Sequence, residues 1–571
     1  MLLASLVCFN AGVSSLTPFF RNIIMARLAL LTAFLAAASL STARTTSFVE
    51  RQVPANATGV TTITSPQGAQ IRFKQPGKQG VCETTQGVDD YAGYISLNEK
   101  TNMFFWFFEA RENPKEAPLT LWLNGGPGSD SLIGLFQEHG PCNVTEELKT
   151  QLNPYSWNEK SNMLYLSQPV GVGFSYETTE VDEEGRYSLV DPDTANTTHA
   201  AAVGAWHILQ AFLELSPQLD ADIKNLTFNL WTESYGGHYG PGFYNYFYQQ
   251  NQAIKNGSTK GVELQMDTLG VINGIIDEQI QGPYYPEFAV NNTYGIKAYN
   301  DTVYTFAKQA FYFPEGCNDQ IEYCKQSDRT TEEGQLTCSQ AMSLCRSLVE
   351  GPYYDFGNRG VYDIRHPYDD PTPPDYFMEF LNLASTQEAL GVNINYTSAS
   401  SSPVYSGFSS TGDFVYSFIE DLTEILGYGV RVALLYGDAD YICNWFGGEA
   451  VSLAVNHTDK AAFNAAGYTP FLVDGVEYGE VREYGNFSFT RIYEAGHEVP
   501  YYQPVASLEH FRRVLDHVVI ADGSKVVTDD YSTNGTAKAT HTESYVALPP
   551  TSTPSSYISA GERRVKRVWR K

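Results

Sequence analysis

Leu226-Thr227-Phe228-Asn229-Leu230-Trp231-Thr232-Glu233-Ser234-Tyr235-Gly236-Gly237 runs from apolar and aromatic residues into a polar turn and then into glycine. The first six residues read as a buried strand. Small residues follow Ser234, and the pattern from Phe243 onward predicts a helix. A strand, a sharp turn and a helix make an elbow that lifts its apex clear of a sheet, where a hydroxyl is free to act as a nucleophile. Thr232 departs from the general G-x-S-x-G pattern, which places glycine there. Serine followed by glycine is common in loops, so the elbow gains weight only from residues elsewhere.

A serine hydroxyl is weak at its own pKa and needs a base, and the base needs an acid to fix its tautomer. Residues 430–436 and 487–493 read as further strands; Asp438 and Asp440 follow the first and His497 follows the second. The order serine, aspartate, histidine is the one expected of an α/β hydrolase, with each residue beyond the C-terminal end of a strand. Spacing alone leaves Asp438 and Asp440 both open, while His238 lies too close to Ser234 in sequence to be an obvious partner. Asn124-Gly125-Gly126-Pro127-Gly128 follows another strand, 119–123, and offers backbone N–H groups for an oxyanion. With 163–166 also reading as a strand, the chain predicts an α/β fold: a doubly wound, mostly parallel sheet.

Between 273 and 403 the strand–helix alternation loosens, and cysteines, tyrosines and Asp370-Pro371-Thr372-Pro373-Pro374-Asp375 accumulate, which predicts an inserted lid. The expected organisation is a signal region at 1–43, an N-terminal segment at 44–75, the first part of the core at 76–272, the lid at 273–403, the second part of the core at 404–522, and a disordered Ser/Thr/Pro-rich and basic tail at 523–571. Met25, Arg27 and the apolar run 28–40, ending in Ser41-Thr42-Ala43, have the build of a cleavable secretory signal. Residues 1–24 in front of it read as an upstream start or as an extension that makes an anchor of the whole. Secretion is the expectation, a vacuole the alternative, with no stable membrane insertion after cleavage.

The formal net charge of -28 argues against nucleic acid and anionic membrane as partners. Of eight cysteines, Cys8 lies in the leader, and the odd remainder predicts one free thiol. Cys317, Cys324, Cys338 and Cys345 are symmetrically spaced, which suits nested bridges, Cys317 with Cys345 and Cys324 with Cys338. Zinc is the rival, but no histidine lies nearby and the intervals are too long for zinc knuckles. Glycosylation is expected at Asn56, Asn143, Asn196, Asn225, Asn256, Asn291, Asn300, Asn395, Asn456, Asn486 and Asn534, each of which opens a sequon.

Longer motifs sharpen this reading. Trp122-Leu123-Asn124-Gly125-Gly126-Pro127-Gly128, Glu233-Ser234-Tyr235-Gly236-Gly237-His238-Tyr239, Asp440-Tyr441-Ile442-Cys443-Asn444-Trp445 and Gly496-His497-Glu498-Val499-Pro500 together resemble the serine carboxypeptidases. Asn153-Pro154-Tyr155-Ser156-Trp157 and Gln168-Pro169-Val170-Gly171-Val172-Gly173-Phe174-Ser175 are similar to that family too. The resemblance spans about residues 75 to 520 and is strongest to the fungal extracellular branch.

The resemblance implies a Ser234, Asp440, His497 triad, with Asp440 chosen because the family's acid stands three residues before the cysteine that is here Cys443. It implies oxyanion donors at the Gly126 and Tyr235 amides, and recognition of a substrate carboxylate by Asn124, the Gly125 N–H, Glu138 and Glu233. Two acids facing a carboxylate require a proton, which predicts an acidic optimum. No metal or cofactor is implied, and the partners are peptides and proteins with a free C-terminus, acted on by a monomer or homodimer. Ser129 stands where many members carry a cysteine, which leaves Cys82 to pair with Cys142 and Cys443 as the free thiol by the substrate pocket. Glu498 replaces a common methionine and is expected to favour a basic C-terminal residue. The expected activity is stepwise release of C-terminal amino acids through an acyl-enzyme, with ester hydrolysis or acyl transfer as the rival and a non-catalytic binding protein as a second.

Overall fold

A computed structural model describes residues 57–544 except 66–67, 97, 99, 178–189, 220–222 and 371, and all of them belong to one compact unit, Val53–Ile558. The predicted signal region, Asn56 and residues 545–571 lie outside the described residues. The main sheet contains β1 (Thr61–Thr64), β2 (Gln70–Lys74), β3 (Asp90–Ser96), β4 (Thr101–Phe108), β5 (Leu119–Leu123), β6 (Asn162–Leu166), β7 (Thr227–Glu233), β8 (Gln265–Ile272), β9 (Arg431–Gly437), β10 (Thr469–Val473), β11 (Val476–Tyr484) and β12 (Phe487–Ile492). Their order is β1-β2-β3-β4-β6-β5-β7-β8-β9-β12-β11-β10, with Tyr176–Glu177 added beside β4. The stretch from β6 to β12 is parallel and both flanks are antiparallel.

Every residue of β5, β9 and β12 is buried, as strands covered on both faces must be. The period of two splits them between two cores. Leu119, Leu121, Leu123, Leu230 and Leu434 pack with α1 (Thr198–Leu215) and α2 (Gly236–Lys255). Trp122, Trp231, Ala433 and Leu435 face the other way, where Trp157 stacks on Phe511 of α3 (Pro504–Leu515) with ring centroids 4.2 Å apart.

From β5 the chain winds to β6 on one side, then returns to place β7 on the other side of β5. A crevice opens outside the carboxyl ends of strands at such a reversal. Register pairs Leu123 with Thr232, so the loop at Asn124 and the turn at Ser234 leave the sheet side by side.

The helix after the elbow begins at Gly236, not at Phe243 as the sequence predicts. Its glycines and Pro241 are poor helix formers, and burial from Gly236 to Pro241 overrides that propensity. Between β8 and β9 the chain is helical rather than stranded. Two of its helices, Cys317–Gln326 and Glu332–Cys345, are joined by the nested bridges Cys317–Cys345 and Cys324–Cys338. Cys82 is bridged to Cys142, and Cys443 is free and buried.

Two expectations are corrected. Residues 524–544 are not a disordered tail: Ser532 pairs with Tyr484, Thr536 pairs with Tyr468, and Thr533 is buried. The Ser/Thr composition that reads as disorder serves here to pair with the edge of the sheet. Asn395 is not a surface glycosylation site, since it is wholly buried and its Oδ1 accepts from Gln387 at 2.8 Å. Asn143, Asn256, Asn291, Asn300, Asn456 and Asn534 are exposed, and Asn196, Asn225 and Asn486 are partly so. Among the described residues no helix is long and apolar enough to cross a membrane.

Candidate active site

Ser234 sits at φ +65°, a left-handed conformation that a serine adopts only where its surroundings hold it. Its N–H donates to the Ile272 carbonyl at 3.0 Å, and its own carbonyl accepts from Gly237 and Ile275, each at 2.9 Å. Thr232 fits where glycine was expected because Gly236 and Gly240 leave it room. A Cβ on Gly236 would lie 2.6 Å from the Thr232 Cβ, and one on Gly240 would lie 2.7 Å from its hydroxyl. The Thr232 hydroxyl donates to the Gly236 carbonyl at 2.8 Å and so tightens the turn.

His497 Nδ1 lies 2.7 Å from Asp440 Oδ2, and Asp440 is fully buried. Asp438, the alternative acid, instead accepts from Tyr294 Oη at 2.5 Å and pairs with Arg491 at 3.4 Å. Geometry therefore favours Asp440. Burial raises the Asp440 carboxyl above its ordinary range, and His497 opposes that rise. Ligand atoms of Asp440, Cys443 and His497 all lie within 4.8 Å of one another, and the Cys443 thiol adjoins Ser234. That places the elbow serine, partly exposed, beside the histidine–aspartate pair. Asn273, which the sequence reading passed over as a boundary, ties the two loops together. Its Nδ2 donates to the His497 carbonyl at 2.5 Å, and its Oδ1 accepts from Gly437 N at 2.8 Å.

The glycine loop meets the elbow directly: a Cβ on Gly125 would lie 2.3 Å from Tyr235 N and 2.6 Å from the Glu233 carbonyl oxygen. No residue but glycine allows that approach. Ser129, four residues on, meets Ser400 of the inserted segment hydroxyl to hydroxyl at 3.0 Å, in place of any bridge.

Asn124 is oriented by two donors to its Oδ1, Trp122 Nε1 at 2.7 Å and Gly134 N at 2.9 Å. Its amide nitrogen therefore points at Glu138 (3.2 Å) and Glu233 (3.1 Å). Glu138 closes a π-helical turn, Gly134–Glu138, and both glutamates are buried. Neither Oε2 has a donor, and the two carboxyls adjoin one another, so a proton on either would supply the missing donor. Burial pushes Glu138 up to about 7, and burial together with Glu138 and Glu498 holds Glu233 well above the carboxylate range. Glu498 is partly exposed, but its Oε2 is buried, and burial and Glu138 raise it too. The sequence reading treated Glu498 separately; the structure joins it to this cluster.

Residues 76–517 match the serine carboxypeptidase family. The chain belongs to that family. Carboxypeptidase S1 homolog A of Arthroderma otae is 42% identical over 89% of this chain and 87% of the relative. Carboxypeptidase S1 of Penicillium janthinellum is 42% identical over 76% of this chain and 97% of the relative. The crystal structure of the prohormone-processing carboxypeptidase Kex1(delta)p from Saccharomyces cerevisiae superimposes with a TM-score of 0.62 at 23% identity, covering 78% of this chain and 95% of that one. The latter likeness is one of fold, the α/β-hydrolase fold. The enzyme is thus a peptide hydrolase of the serine carboxypeptidase kind.

A cluster that the sequence reading missed lies beside the elbow. Glu278 and Glu350, both buried, flank Arg346, with Ile275 and Phe414 lining the same cavity. Glu350 lies 3.6 Å from Arg346, while Glu278 Oε1 has no partner. Burial and the neighbouring Glu350 hold Glu278 well above the carboxylate range. Isolated glutamates in helical segments carry no sequence signal that would have found them.

Proposed function

We propose that the protein is a secreted carboxypeptidase that releases single C-terminal residues at acidic pH, with Ser234 as nucleophile, His497 as base and Asp440 as orienting acid. The observation that carries the reading is the buried pair Glu138–Glu233, held by Asn124 beside Ser234, where burial raises both carboxyls and favours their neutral forms. A neutral carboxyl donates a hydrogen bond to a substrate carboxylate, whereas an ionised one repels it. Such a site reads a free chain end and excludes internal bonds.

In the first step His497 takes the Ser234 proton, and Oγ bonds to the scissile carbonyl carbon while the oxygen becomes an oxyanion. The amides of Gly126 and Tyr235 donate to that oxygen, and neither is engaged by the backbone carbonyls of the surrounding turns. The C–N bond then breaks, and His497 gives its proton to the departing amino acid. Water, deprotonated by His497, attacks the acyl-enzyme and frees Ser234. The helical segment between β8 and β9 acts as a lid. Its Tyr362 carbonyl accepts from His497 N at 2.8 Å and its Val361 carbonyl from Ile442 N at 3.0 Å, which ties lid to active-site loops.

Three disulfides and the exposed sequons support secretion. Mass spectrometry of peptides incubated with the enzyme at about pH 4.5 should show ladders shortened from the C-terminus. Ser234→Ala should lower kcat by ~10⁴-fold or more and abolish fluorophosphonate labelling. Internal cleavage, or full activity in Ser234→Ala, would overturn the reading.

A further inference from the structure

We propose that Asp413 is a positioning residue that aims the oxyanion-binding amide of Tyr235, an inference that rests on the roles given above to Ser234 and Tyr235. The peptide unit between these two residues carries the Ser234 carbonyl on one side and the Tyr235 N–H on the other. Its carbonyl side is held by the amides of Gly237 and Ile275. The plane is fixed in direction only if the Tyr235 end is held as well.

That end is held by the tyrosine ring. Tyr235 is fully buried, stacked on His238 with centroids 4.3 Å apart and packed against Phe414 at 4.8 Å. Its hydroxyl donates to Asp413 Oδ2 at 2.5 Å. The same carboxylate oxygen accepts from Thr198 Oγ1 at 2.6 Å and from Thr198 N at 3.2 Å. Thr198 opens α1, an eighteen-residue helix whose amino end favours a negative charge. Asp413 thus has a compensated site although it is only 1% exposed. Burial and Asp413 push the Tyr235 phenol well above its ordinary range, which keeps it a neutral donor.

Asp413 is itself placed by the disulfide-bridged helices. It follows Gly412, at φ +68°, where a Cβ would lie 2.2 Å from the Cys338 backbone. A line of direct contacts therefore runs from the Cys324–Cys338 bridge through Asp413 to the residue after the nucleophile. The competing role for Asp413 is capping of α1 alone. Capping and positioning differ in what they do to catalysis.

The experiment compares Asp413→Asn, Tyr235→Phe, the double variant and Thr197→Ala, which removes the α1 cap without touching Asp413, in the full-length enzyme, with Ser234→Ala as reference. Positioning predicts that Asp413→Asn and Tyr235→Phe each lower kcat by ~10- to 100-fold, below the loss for deleting an oxyanion donor outright, with KM changed far less. Both should weaken a peptide-aldehyde inhibitor, which forms the tetrahedral oxyanion, by a similar factor. The double variant should be no worse than the poorer single one. Thr197→Ala should lower the unfolding midpoint while kcat stays within ~2-fold. Undiminished kcat in folded Asp413→Asn or in Tyr235→Phe overturns the proposal, as do additive losses or an equal kcat loss in Thr197→Ala. If Asp413→Asn does not fold, Tyr235→Phe decides alone. Activity surviving in Ser234→Ala would instead sink the underlying reading.

Discussion

Single residues set the pH response of the site. Glu138 titrates at about 7 because burial outweighs the hydrogen bonds from Glu233 and Asn124, so below that pH it keeps its proton. As pH rises through it, the cluster gains a negative charge, which on the proposed role would face the substrate carboxylate. KM for peptides should therefore rise across this window while KM for a small ester, which has no carboxylate, stays flat. In Glu138→Gln the KM rise should shrink, and an unaltered KM–pH profile would count against a carboxylate-reading role. Glu498 is a second case. Its carboxyl is held neutral by burial and Glu138, so in acid it offers no anion to a basic side chain. The preference for substrates ending in Arg over Leu should grow as pH rises, measured as the ratio of kcat/KM values; a ratio independent of pH would remove Glu498 from specificity. The places of Ser234, Asp440 and His497, each just past a strand, were legible in the sequence. Asn273 and Asp413 were not, because their task is to hold other residues, and nothing local in a sequence marks a group that acts across 140 or more positions.

At the scale of elements, the five strands read from the sequence were legible to within two residues, whereas the antiparallel flanks and β8 were not. Residues 119–123 match β5, and the predicted 487–493 differs from β12 by its last residue, since buried parallel strands leave nearly continuous apolar runs. The start of α2 and the fate of residues 524–544 were not legible, because tertiary contacts override propensity in both. The latter segment is a strap with specific contacts. Arg491, fully buried, donates to the His541 carbonyl at 2.8 Å as well as pairing with Asp438 and Glu480. The His541 ring stacks on Tyr493 with centroids 3.6 Å apart. Ending the chain after Asp522 removes these contacts and opens a buried cation, two residues from Asp440 through Asp438, to water. Relative to a chain ending after Glu543, the truncated enzyme should unfold ~3–6 °C lower and be cut faster by an added protease. Equal midpoints in differential scanning calorimetry would show that the strap is energetically idle.

For the whole molecule, buried titratable groups pull stability in opposite directions and set its maximum. Burial raises Asp90 to about 7, despite hydrogen bonds from Trp106 and Gly77, raises Glu138 to about 7, and holds Glu233, Glu278 and Glu498 well above the ordinary carboxylate range. In the unfolded chain these carboxyls titrate near ~4. The folded state therefore binds their protons more tightly, and the stability this gives is lost as pH rises through the folded values. Burial lowers His139 and His238 and takes His510 to about 3, so these rings stay neutral in the fold but charge in the unfolded chain below ~6.5. Their contribution is lost as pH falls from there. The two sets compete in acid, but above ~6.5 only the carboxyls still act, and the net charge of -28 adds repulsion in the same direction. The unfolding midpoint should peak between about pH 5 and 6.5 and fall by ~5–10 °C by about pH 8. Asp90→Asn, far from the catalytic residues in sequence, should be less stable overall yet show a shallower alkaline fall, because one of the ionisations that drives it is gone. A midpoint that climbs from about pH 6.5 to 8 would mean that the buried carboxyls, the Glu138–Glu233 pair among them, do not hold their protons more tightly in the fold.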